Sequence, residues 1–381
     1  MLGIAMRLQS FTLGLALLLF PSIAPAQAPC GAPAALNDGW RVTTPEAAGL
    51  DPAILCALTE RFTASTQANV HGVLVVRRGA LAFEQYFTGE DAPWGGPRGP
   101  VTFNSELKHD VRSISKSVVS LLVGIAIDRK LIASVDEPVF KFFPEHADLR
   151  TPEKDRILIR HVLAMASGLA WDETIPYTDP RNSEIRMSTA ADPLRFVLEQ
   201  PVAAAPGTTY NYSGGDTHLL AAVIQRASGR TLEEFAREAL FEPLGITDWR
   251  WMSYRNGTLS AASGLRLRPR DLAKLGQLML TRGAWNERQL VSAGWIEASI
   301  TPQIEAIDFL FYGYQWWLGR SLIERKEVHW VAGIGLGGQR LFIVPALDLV
   351  VVVTAGLYTS PMQRWVPWSI FRHYAVKAVR E

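Results

Sequence analysis

The stretch VRSISKSVVSLLVGIAID, residues 111–128, decides how the rest of the chain is read. Its apolar residues Val118, Val119, Leu121, Leu122, Val123, Ile125 and Ile127 nearly encircle a helix predicted over 113–128. A helix with almost no polar side must lie inside the molecule. Lys116 heads that helix and has no solvated face to occupy, so it needs a specific reason to be there. Ser113 stands three residues earlier, and side chains three apart on a helix share a face, so the amine can reach the hydroxyl. A serine hydroxyl is a weak nucleophile that needs a base, and a lysine serves when desolvation or a nearby cation lowers its pKa. Burial in an apolar core predicts that lowering for Lys116. The first helical turn also aims its dipole at negative charge developing on a substrate.

Outward from this helix, residues 70–89 (VHGVLVVRRGALAFEQYFTG) read as two β-rich runs about a turn at Arg78-Gly79, a hairpin. Helical spacing precedes it over 48–63, and a loop rich in Gly and Pro follows over 90–100. Helical periodicity then dominates, with helices predicted over 159–167, 192–199, 217–227, 232–240, 269–282 and 292–300. β character returns over 327–331, 339–344 and 349–354, before a closing helix over 361–379. Strands near both ends enclose helices, and no linker or repeat divides the chain. The expected fold class is therefore α/β: an antiparallel sheet from N- and C-terminal strands, flanked by helices, with an inserted mainly helical lobe. It forms one domain over 29–381, its α/β part about 29–130 and 325–381 and its helical lobe about 131–324. Such a split makes a cleft at the junction, the usual place for a ligand.

Of 381 residues, 48% are hydrophobic and 20% charged, which supports a large core and excludes a disordered chain. Lysine plus arginine number 38 against 37 acidic residues, so there is no charge surplus to hold a nucleic acid, and no nucleic-acid partner is expected. Residues 1–28 read as a signal peptide: Arg7, an apolar run over 11–20, then Ala26-Gln27-Ala28, with cleavage after Ala28 or Ala26. The run falls short of the ~20 residues that span a bilayer, so a secreted or periplasmic product without stable membrane insertion is expected. Export places Cys30 and Cys56 where they either form one bridge or remain two thiols. No Cys-x-x-Cys or His-Glu-x-x-His spacing is present, and no metal site is expected. Nor is there a Gly-x-Ser-x-Gly motif, so His109 and His329 read as structural or rim histidines rather than members of a triad.

With its Ser113-Ile114-Ser115-Lys116 motif, the chain resembles the family of serine β-lactamases, penicillin-binding proteins and related esterases, from about Ala48 to the C-terminus. The resemblance implies a β-lactamase-like fold, Ser113 as the acylated nucleophile, Lys116 as base, and no cofactor. The family's Tyr-x-Asn motif falls in PGTTYNYSG (206–214), which makes Tyr212 the implied proton shuttle, with Gly214 in place of Asn. The third motif falls on Gly333-Ile334-Gly335 within VAGIGLGGQRLFIVP (331–345), where the glycine is kept and the cationic residue is absent. Family geometry implies an oxyanion hole from the N–H groups of Ser113 and Leu336, with Ile334 and Gly335 against the substrate. Without a cation to hold a substrate carboxylate, efficient β-lactam hydrolysis is not expected. The stretches HVLAMASGLAWDE (161–173), GGDTHLL (214–220), SGLRLRPRDLAKLGQLML (263–280) and YGYQWW (312–317) look like the esterase and 6-aminohexanoate oligomer hydrolase branch. Tyr177 is the candidate second tyrosine for an amide substrate, and Trp316, Trp317 and Trp330 are candidate walls of an apolar pocket. The expected activity is cleavage of a small-molecule ester or amide through an acyl-enzyme. The alternatives are a β-lactamase or D,D-peptidase, and a catalytically silent ligand-binding protein of the same fold.

Overall fold

The computed structural model describes residues 30–380; the expected signal peptide lies outside them. Eight antiparallel strands form the main sheet, in the spatial order Ile304–Glu305, Phe311–Tyr312, Trp317–Ile323, Lys326–Gly335, Gln339–Val344, Leu349–Ala355, Val70–Arg77 and Ala80–Tyr86. The predicted hairpin thus lies at one edge, and the last strand of the chain is zipped against the first, with Val75 opposite Val351. Both of these strands are buried along their whole length, as continuous apolar runs require.

Side chains alternate between the two faces of a strand, and the sheet separates two cores accordingly. Leu74, Val76, Leu341, Ile343, Val350 and Val352 face the central helix Ile114–Asp128 and the helix Pro269–Leu280. Val73, Val75, Phe342, Val351 and Val353 face the opening helix Pro52–Thr63 and the C-terminal helix Met362–Ile370. The central helix is buried at every residue from Ile114 to Ala126, in agreement with the apolar residues that nearly encircle it. Cys30 and Cys56 are bridged, with their Cα atoms 5.3 Å apart, which ties the N-terminal segment to the opening helix.

Several elements differ from the sequence reading. Residues 90–100 are not all loop, because Thr88–Asp91 pairs with Gly99–Thr102 as a two-stranded ribbon; its short, Gly- and Pro-containing arms carry no apolar alternation to reveal it. The helix Ser183–Thr189 was not expected, and Asn182 caps it by accepting from the N–H groups of Glu184 and Ile185. The strands at 304–305, 311–312 and 317–323 extend the sheet where none was read, two of them too short to show a period. A small three-stranded sheet joins His109–Asp110 to Leu265–Leu267 and Arg250–Trp251, fastening the approach to Ser113 to the helical segment. The closing helix is regular only over Met362–Ile370. It holds Pro367, which lacks the N–H that a regular turn uses, and it widens into a π-helical turn over Phe371–Val376.

Candidate active site

The chain enters the central helix through a tight turn. Val111 donates its N–H to the Leu265 carbonyl at 3.1 Å, and Arg112 then takes a left-handed conformation, φ 52°. A non-glycine residue pays a strain cost there, and Arg112 is held from three sides. Asp110 lies 3.0 Å from its guanidinium, which also sits over the rings of Tyr358 (4.7 Å) and Trp94 (5.2 Å). The turn delivers Ser113 to the N-cap position, where its side chain makes no capping bond. Its Oγ faces Lys116 instead.

Lys116 is 2% exposed. Its Nζ donates to Ser113 Oγ at 3.3 Å and to the Ala262 carbonyl at 3.1 Å, and lies 4.8 Å from the centre of the Tyr212 ring. The Tyr212 loop is pinned by Asn211, whose N–H donates to the Met165 carbonyl (2.7 Å) and whose amide donates to the Trp171 carbonyl (3.0 Å). Immediately after Tyr212, Ser213 caps the helix Gly214–Ser228 by accepting from the Asp216 N–H. The Tyr212 ring stacks on Trp317, centroids 5.9 Å apart and planes 29° apart. Ser113 and Lys116, read from one motif, and Tyr212, read from another, therefore meet.

The electrostatics depart from the expectation for Lys116. Burial is the largest influence and disfavours the ammonium, but Tyr212, Glu173 and Glu184 favour it more, so the pKa lies above the ordinary lysine value. Burial likewise raises Tyr212, against the opposing pull of Lys116. The amine is thus an ammonium and the phenol is protonated at neutral pH. An ammonium can donate to Ser113 Oγ but cannot take its proton; the basic form of the site is the coupled pair after losing one proton. Glu184 is itself pushed up to about 7, mainly by burial and then by Glu173, and accepts from the Tyr254 hydroxyl at 3.0 Å. Glu173, Glu184, Tyr254 and the Ala262 carbonyl were not found by sequence reading. They lie far along the chain from Lys116 and belong to no spacing pattern.

Nearby, Asp216 accepts from Ser167 Oγ at 2.7 Å and is raised by burial to about 8. A carboxyl raised in the folded state binds its proton more tightly there than in the unfolded chain. It favours folding in acid, and that contribution is lost as pH rises through about 8. Asp216→Asn removes this dependence. Between pH 5 and 8.5 the Tm of the native protein is expected to fall by on the order of 2–4 °C more than that of the variant; parallel falls in a thermal melt would contradict the assignment.

The strand Lys326–Gly335 brings the third motif to the same place. On one side its pairing with Trp317–Ile323 stops at Trp317 opposite Ala332. On the other side it continues to Gly335 opposite Gln339, so residues 333–335 keep an open edge. A Cβ on Gly333 would lie 2.9 Å from Ile114 Cγ2, and one on Gly335 would run into the Val111 carbonyl. The protein's own turn into the central helix thus demands these glycines, of which Gly335 was expected to lie against the substrate. Among the described residues neither the Ser113 N–H nor the Leu336 N–H donates a hydrogen bond. Ile334 is half-buried, in the apolar cluster that Tyr212 joins.

The other candidates divide. Tyr177 is partly exposed and donates to Glu173 Oε1 at 2.9 Å; Glu173 also accepts from the Gly214 N–H, beside Tyr212. Trp330 does not wall the site. It shares a sheet face with Trp317 and Ile334 but stands four residues back along the strand from Ile334, where its ring packs on Trp368 (4.8 Å) and Phe342 (6.2 Å) beside the C-terminal helix. Trp317, against Tyr212, supplies the apolar wall, while Trp316 is core. His329 is exposed beside Glu327. The arrangement offers an uncapped hydroxyl at a helix N-terminus, an amine and a phenol within reach, and two free N–H groups, the parts needed for acyl transfer.

A family model described as Beta-lactamase matches residues 57–364. The 6-aminohexanoate-dimer hydrolase of Paenarthrobacter ureafaciens is 26% identical over 318 residues, covering 76% of this chain and 74% of that protein. Esterase EstB of Burkholderia gladioli is 26% identical over 217 residues, 54% of this chain and 52% of the esterase. The solved structure of the octameric penicillin-binding protein homologue from Pyrococcus abyssi superposes with a TM-score of 0.62 at 21% identity, covering 83% of this chain and 76% of that one. At that identity the likeness speaks for the fold.

Proposed function

The chain belongs to the beta-lactamase family of serine hydrolases, and from that premise we propose that it cleaves ester or amide bonds through an acyl-enzyme on Ser113. The observation that carries the reading is the buried Lys116 Nζ at 3.3 Å from Ser113 Oγ. Once the Lys116–Tyr212 pair has released one proton to solvent, Ser113 Oγ bonds to the substrate carbonyl carbon while its own proton passes to that pair. The resulting oxyanion takes hydrogen bonds from the N–H groups of Ser113 and Leu336, which are otherwise unused. The carbon–oxygen or carbon–nitrogen bond then breaks, and the pair returns the proton to the leaving group. Water repeats the sequence on the acyl-enzyme and frees Ser113. No step calls for a cofactor. The likeness to the dimer hydrolase and to the esterase supports an ester or amide substrate, and Ile334 offers no cation for the carboxylate of a penicillin. The leader-like residues 1–28 and the Cys30–Cys56 bridge support export to an oxidising compartment.

The purified protein is expected to turn over short-chain p-nitrophenyl esters or the 6-aminohexanoate dimer at least about 10-fold faster, by kcat/KM, than nitrocefin, a margin of roughly 1.4 kcal/mol. Preference for nitrocefin, or covalent capture of a fluorescent penicillin that outpaces ester turnover, would move the protein to the penicillin-recognising branch.

A further inference from the structure

Apart from the catalytic cluster, His71, Asp91 and His109 meet in the interior, with one potential ligand atom from each lying within 4.8 Å of the others. The proton positions follow from their partners. His109 Nδ1 lies 3.0 Å from the Asp110 carbonyl, an acceptor only, so this nitrogen carries the hydrogen. His71 Nε2 faces the Glu90 carbonyl at 3.1 Å and Asn69 Oδ1 at 3.2 Å. The Asn69 amide cannot be turned round, because its Oδ1 accepts from the Glu90 N–H (2.8 Å) while its Nδ2 donates to the Glu90 carbonyl (2.9 Å). His71 Nε2 therefore carries a hydrogen as well. In neutral rings the two remaining nitrogens, His71 Nδ1 and His109 Nε2, are both lone pairs, and they face each other at 2.8 Å. Two lone pairs at that separation repel unless a cation joins them. Asp91 is 6% exposed, and its carboxylate makes no hydrogen bond among the described residues. Its carboxylate brings a negative charge within 4.8 Å of the ligand atoms of both histidines.

We propose that His71 Nδ1, His109 Nε2 and the Asp91 carboxylate bind a divalent transition-metal ion of the zinc type. Two imidazoles and one carboxylate suit such an ion and leave a fourth position open. Both rings already give their outer N–H to oxygen acceptors, the arrangement that orients metal-ligating histidines. The Phe103 ring stacks on His71, centroids 3.9 Å apart and planes 15° apart, and a Cβ on Gly89 would press to 2.8 Å of His71 Cδ2, so the imidazole is clamped in place. Metal–nitrogen bonds of about 2.0–2.1 Å at a tetrahedral angle require the two nitrogens to part by only a few tenths of an ångström.

The three ligands come from three segments, the strands Val70–Arg77, Thr88–Asp91 and His109–Asp110. The last runs directly into the turn that presents Ser113. The ion would cross-link the sheet edge to the base of that turn, as a structural centre and not a reacting one. Its ligands have no short-range spacing, so no motif marks it in the sequence.

The test uses the full-length, tag-free protein after removal of metal with a chelator, and it is read without reference to hydrolysis. Titration with Co2+ is expected to saturate at one ion per chain, with visible d–d absorption that Zn2+ abolishes, and Zn2+ should raise Tm by several degrees. Asp91→Asn and His109→Gln are expected to weaken Co2+ binding by on the order of 100-fold or more, whereas His329→Gln leaves it unchanged. Should a variant fail to fold, the native protein's Co2+ spectrum decides alone. Absence of d–d absorption in the native protein would assign the cation between the rings to a proton and overturn the proposal. So would Co2+ binding that survives both ligand substitutions.

Discussion

Ser113→Ala is expected to lower p-nitrophenyl ester turnover by on the order of 10³-fold or more, with Tm within about 2 °C of the native protein. The two effects separate because Ser113 Oγ caps no backbone N–H, and Lys116 keeps its bond to the Ala262 carbonyl when the hydroxyl is gone. A fluorophosphonate probe that labels the native chain should leave this variant unlabelled. Turnover at the native rate in a folded Ser113→Ala protein would place the nucleophile elsewhere.

Lys116→Met is the second large effect. Methionine fills much of the same buried space without a titrating group, so the substitution isolates the chemistry from the packing. Loss of the amine should reduce acylation by on the order of 100-fold or more, the usual size of a general-base contribution. Raising the pH should not recover it, because the remaining phenol is itself held protonated by burial. The substitution also strips Glu184 of its cationic neighbour, so the carboxyl should take up a proton more readily than before. A variant that is folded and acylates at near-native rates would refute the pair as the proton acceptor.

What the sequence made legible was local or carried by strong patterning. Apolar residues that nearly encircle 114–126 call for a central helix, and the largely apolar runs at 70–77 and 349–355 are strands buried along their length. The meeting of Ser113 and Lys116 followed from helical spacing, and Tyr212 came with its loop. What stayed hidden depended on atoms distant along the chain. Burial alone led to the expectation that the Lys116 pKa falls, whereas Tyr212 first, and then Glu173 and Glu184, which nothing around Lys116 in sequence announces, raise it. Gly335 was set against the substrate with no sign in sequence of the turn at Val111–Ile114, a tertiary neighbour that presses on both Gly333 and Gly335. Trp330 was misassigned for a different reason: it shares a sheet face with Trp317 and Ile334, but four residues of extended strand separate it from Ile334, and its ring reaches the C-terminal helix instead.

The sheet is closed by its own latest-made strand, since Leu349–Ala355 lies between Gln339–Val344 and the hairpin strand Val70–Arg77. Such a topology has a high contact order and folds slowly, because distant segments must find each other before their pairing is rewarded. While the chain is still being made, the hairpin has one apolar flank unpaired and vulnerable to association with other nascent chains. A truncation before residue 349 would leave that flank permanently bare, so proteolytic trimming at the C-terminal end should produce aggregates rather than a smaller working enzyme.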